Sequence, residues 1–76
     1  MNIILNGEST DIPEKTTIAL LLERLQFEPG RVAVEYNLNV APREQYTKIE
    51  LGEGDQIEIV HFIGGGAFVN LGEKDG

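Results

Sequence analysis

The 76-residue chain has no cysteine. Disulfides, thiolate metal sites and cysteine nucleophiles are therefore excluded, because each needs a sulfur atom on a side chain. Any sulfur this chain handles must sit elsewhere. Histidine is nearly missing too, and the one present, His61, has no second histidine or cysteine to complete a metal site. It reads as a structural or interface residue at a strand end, and neither metal nor cofactor is expected. Ser9, the only serine, lies in the expected N-terminal hairpin without a nearby base, so a nucleophile is not expected either. Basic residues are scarce: six stand against thirteen acidic ones, giving a net charge of -7. Such a surface repels nucleic acid and anionic membranes and favours a basic protein partner. The first residues carry only the short apolar run Ile3 to Leu5 and no basic flank, so neither a signal peptide nor a membrane span is expected, and the cytoplasm is the default location. A chain this short holds one core and little room for a catalytic cleft, which argues against an enzyme. Glu50, Glu53, Asp55 and Glu58 then read as a solvated turn and strand.

What is present has a clear period. Ile3 and Leu5 alternate before Asn6-Gly7, and Ser9, Thr10 and Ile12 follow, the pattern of a two-residue hairpin. Thr16 or Thr17 is placed to cap a helix whose apolar residues Ile18, Leu21, Leu22 and Leu25 fall on one face. Phe27 is expected beneath its end, with Pro29-Gly30 as the stop. Val32, Val34 and Tyr36 then alternate as a third strand, and Asn37 to Asn39 supply a turn before Val40. Ile49 and Leu51 predict a short strand, Gly52 to Asp55 a tight turn, and Gln56 to Phe62 a last strand with Ile57 and Ile59 inward. The order is ββαβββ. A fold class of α+β follows, a ubiquitin-like β-grasp with a mixed sheet of four to five strands packed on one helix.

Gly64, Gly65 and Gly66 come directly after the last strand. They lack the lysine and the following helix of a phosphate loop, and a glycine run by itself is most simply a linker. Emerging from a strand, it can also be a slender chain threaded into a slot of another protein. Residues 67–76 keep no period and are expected to form a flexible extension beyond a domain of residues 1–66.

From Val32 to Gly66 the chain reads VAVEYNLNVAPREQYTKIELGEGDQIEIVHFIGGG. This segment resembles the ThiS family of sulfur carriers in thiamine biosynthesis, with its valine-rich strand, asparagine turn, Pro-Arg before an aromatic, Gly-Asp turn and closing strand followed by glycines. The hairpin and leucine helix are similar as well. The resemblance implies that Gly66 is the carrier terminus, adenylated by a ThiF-like adenylyltransferase with ATP and converted to a thiocarboxylate with sulfur from a cysteine desulfurase. The sulfur would then pass to a ThiG-like thiazole synthase. Gly64 and Gly65 would thread the terminus into these partners, and Glu58, Val60 and Phe62, alternating with the inward isoleucines, would form the partner interface. A MoaD-like or tRNA-thiolation carrier, or a ubiquitin-like conjugation or interaction module, stands as the alternative. Family members usually end at the glycines, so residues 67–76 are a departure: a removable pro-segment, a fusion junction or vector-encoded sequence. While Gly66 is in a peptide bond it has no carboxylate to charge.

Overall fold

A computed structural model describes the backbone of residues 1–63 and 67–70 and the side chains of residues 1–61. β1 (Asn2–Leu5) and β2 (Glu8–Asp11) form the expected hairpin, with Leu5 opposite Glu8. Asn6 and Gly7 both take positive φ, 49° and 84°, as a two-residue turn that follows the strand twist requires. Helix α1 (Ile18–Arg24) is capped by Thr17, whose hydroxyl accepts the Leu20 N–H at 3.1 Å. Thr16 instead donates its hydroxyl to the Pro13 carbonyl.

The helix stops earlier than proline and glycine suggest. Gln26 enters the left-handed region at φ 65°, its N–H bonds to the Glu23 carbonyl, and the Phe27 N–H reaches back to Leu22 at 2.9 Å. This pair of bonds satisfies the last carbonyls of the helix and places Phe27 against the core beneath its end. Pro29-Gly30 begins a separate 3₁₀ turn, Pro29–Arg31, that leads into β3 (Val32–Tyr36). The short strand expected at Ile49 and Leu51 is a single bridge between Glu50 and Thr17. The fourth strand is β4 (Asn39–Val40), because the Asn37–Leu38 turn returns the chain antiparallel to β3.

β5 (Gln56–Ile63) closes the fold between β1 and β3 in a sheet ordered β2-β1-β5-β3-β4. It runs parallel to β1 and antiparallel to β3, giving the mixed sheet of the β-grasp on one helix. The inner face of the sheet and the apolar stripe of α1 bury each other. Ile3, Val34, Ile57 and Ile59 meet Ile18, Leu21 and Leu22 in a core from which water is excluded, and Tyr46 and Leu51 close its flank.

The extension differs from expectation over four residues. Ala67–Asn70 forms β6, antiparallel to the last residues of β5 with Ile63 opposite Ala67 and Val60 opposite Asn70. The sequence has no alternation to announce it, yet β5 offers unpaired backbone there, and backbone bonds do not depend on side-chain period. Residues 64–66 and 71–76 lie outside the described residues.

Candidate functional site

The candidate site is the end of β5 together with the sheet face turned away from the helix. Because Ile57 and Ile59 are buried, the pleat sends Gln56, Glu58 and Val60 to that outer face. Glu58 and Val60 are half-buried there. Phe62 belongs to β5 by its backbone, and its side chain lies outside the described residues, as do Gly64, Gly65 and Gly66.

Register brings further residues to this face that the sequence reading did not name. Ala33 stands opposite Val60, Glu35 opposite Glu58, and Val40 opposite Glu35, while Ile4 of β1 pairs with Gln56. An apolar strip therefore crosses the sheet with two carboxylates at its centre. Glu35 and Glu58 face one another there across the β3–β5 ladder. Leu38 and Val40 stand 82% and 71% exposed beside the strip. Leu38 also holds φ 76°, an uncommon conformation for a branched residue, which keeps its side chain at the tip of the turn. A shallow cavity of about 390 Å³ runs between Leu38, Glu35, Glu58 and Ile4. The alternation of Val34 and Glu35 signals an outer face, but which strand faces Glu35 depends on pairing across the sheet.

Two hydrogen-bonding devices hold β5 in place. Asn37 accepts the Gln56 N–H at 2.8 Å with its side chain, donates to Asp55 at 3.2 Å, and bonds the Gln56 carbonyl through its own N–H. Asn6 does the equivalent on the other edge. Its side-chain oxygen accepts the Ile59 N–H at 2.8 Å, and its side-chain nitrogen donates to the Ile59 carbonyl at 3.4 Å. His61 lies opposite Val32, half-buried, with its ring 5.9 Å from that of Phe27. No group of three or more metal-ligating side chains occurs among the described residues.

Two tyrosines are perturbed. Burial pushes the Tyr46 hydroxyl above its ordinary value of 10.0, while Arg43 and a hydrogen bond to the Val34 backbone pull it the other way. Tyr36 is also raised, by burial first and then by the negative charge of Asp55 and a hydrogen bond to it. Both stay protonated near neutrality and act as packing and hydrogen-bonding groups.

Among the described residues no helix is long and apolar enough to cross a membrane. The sequence pattern of the ThiS family matches residues 3–66. The sulfur carrier protein ThiS of Bacillus subtilis is 44% identical over 63 residues, which cover 82% of this chain and 96% of that one. A thiazole synthase of Magnetococcus marinus is 52% identical over 66 residues, 87% of this chain but 20% of that protein. A second, from Paramagnetospirillum magneticum, is 39% identical over 67 residues and is covered to 21%. The chain thus spans about a fifth of the length of these synthases. The crystal structure of the thiamine biosynthesis protein ThiS from Geobacter metallireducens superposes with a TM-score of 0.76 at 32% identity, covering 87% of this chain and 100% of the other.

Proposed function

Because the chain belongs to the ThiS family, we propose that it carries sulfur for thiazole formation as a thiocarboxylate on Gly66. The observation that carries this reading is the family match, which runs through the fold and ends on Gly66, the last of three glycines that follow β5. The carrier unit is then residues 1–66.

The chemistry explains why a protein without thiols suffices. A carboxylate is a poor electrophile, because its negative charge repels nucleophiles and oxide is a poor leaving group. Attack of the Gly66 carboxylate on the α-phosphorus of ATP gives an acyl adenylate and releases pyrophosphate. The terminal sulfur of a desulfurase-derived persulfide then displaces AMP to give an acyl disulfide. Attack of a partner-enzyme thiol on the sulfur distal to the acyl group releases the thiocarboxylate, with a disulfide as the oxidised product. A ThiG-like thiazole synthase consumes the thiocarboxylate. The carrier is a substrate at each step and supplies recognition. Glycines at 64 and 65 keep the chain slender enough for a slot that excludes water from the adenylate. Glu58, Val60 and Phe62, with Glu35 and Val40 beside them, present the docking face to a basic, partly apolar surface on the ThiF-like enzyme. The similarity to thiazole synthases supports the assignment of the sulfur acceptor.

A chain ending at Gly66 is the test. With its ThiF-like enzyme it should exchange pyrophosphate into ATP and gain the mass of an oxygen-to-sulfur replacement when sulfur is supplied. Gly65→Val in that chain should abolish exchange and leave the melting temperature unchanged. Charging of the intact 76-residue chain without cleavage would remove Gly66 as the reactive terminus.

A further inference from the structure

β5 is covered on one edge by β3 along most of its length, from Ile57 to His61. The other edge is filled piecemeal. β1 pairs with it only at Gln56 and Ile57, and the Asn6 N–H closes on the Ile57 carbonyl. The Asn6 side chain then satisfies both backbone groups of Ile59. Backbone groups of alternate residues point to alternate edges, so His61 and Ile63 are next on this side, beyond the reach of β1. They are the groups that β6 meets, with His61 opposite Val69 and Ile63 opposite Ala67. By the same alternation these two are the hydrogen-bonded pairs of the ladder.

We propose that the distal edge of β5, the backbone of His61 and Ile63, is a strand-acceptance site whose occupant is Ala67–Asn70, and that this pairing in cis withholds the Gly66 end from its activating enzyme. The second half rests on the carrier reading above. Its reason is geometric. Residues 63 and 67 are held opposite one another, and only three residues, all glycine, separate them in the sequence. Two paired strands lie about 4.8 Å apart, and such a ribbon is too broad for a slot fitted to a single glycine chain. Pairing therefore blocks docking in addition to the peptide bond at Gly66. Apparent affinity for the enzyme falls by the fraction of molecules in which the strand is released.

Val69→Pro isolates the pairing, because proline removes the N–H that faces the His61 carbonyl while the rest of the chain keeps its length. Three chains are compared: the 76-residue chain, its Val69→Pro variant, and the chain ending at Gly66. Amide hydrogen exchange at His61 and Ile63 should be at least about tenfold slower in the first than in the other two, with the Ile59 amide unchanged as the control for the fold. Both 76-residue chains keep the Gly66–Ala67 bond, so a difference between them in binding to the ThiF-like enzyme reports the pairing alone. Val69→Pro should bind about tenfold more tightly. Equal exchange at His61 and Ile63 in all three chains overturns the acceptance site, and equal binding of the two 76-residue chains overturns the withholding. Failure of the chain ending at Gly66 to bind or be charged speaks instead against the carrier reading and is seen separately from the exchange pattern.

Discussion

The Asn6 carboxamide bonds both the N–H and the C=O of Ile59, residues 53 apart in the chain. A side chain thus takes the place of the next residue of β1 and ends that strand's pairing without leaving polar backbone unsatisfied at the edge of the core. Asn6 also tolerates the positive φ of the turn, so one residue serves both needs. Asn6→Gly keeps the turn and deletes the side chain. It should lower unfolding free energy by about 1–2 kcal/mol in chemical denaturation and speed exchange of the Ile59 amide.

Thr17 caps α1 through the Leu20 N–H. Thr17→Ala should cost about 1 kcal/mol, measured by the same method, whereas Thr16→Ala should not alter the helix start, since the Thr16 hydroxyl bonds Pro13.

Val60 and Glu35 probe the docking face. Val60→Asp adds charge to a half-buried outward position and should weaken binding to the ThiF-like enzyme about tenfold while the fold persists. Added salt should slow association of the unmodified chain, because a net charge of -7 steers it toward a basic surface. Glu35→Gln should weaken binding to the ThiF-like enzyme a few-fold, because it removes part of the attraction for a basic partner surface. Titration calorimetry and denaturation with both variants check these outcomes.

The tyrosines predict an alkaline limit. Tyr46 and Tyr36 have folded values above 10.0, raised chiefly by burial. Above pH 10 the unfolded chain loses these protons first, so it binds fewer protons than the folded state and stability falls as pH rises. Below pH 10 the contribution is fully present. Tyr46→Phe should flatten the decline above pH 10, read as unfolding free energy against pH.

Much of this protein was set by sequence alone. The Asn6-Gly7 hairpin, the leucine stripe of α1 and the inward isoleucines of β5 follow from local turn chemistry and from periods of 3.6 and 2, which act over a few residues. The glycine run, and with it the family resemblance, was equally legible. Tertiary structure decided what depends on distant partners. Glu50 makes one bridge to Thr17 instead of joining a strand, and α1 stops at Gln26, where a left-handed residue lets Phe27 reach the core. Glu35 came to stand opposite Glu58 only when β3 was set beside β5. The placing of Ala67–Asn70 on β5 likewise had no signal in its own residues. Local periodicity tells a strand which face is apolar, but the edge it joins is chosen by which backbone groups the rest of the sheet leaves open.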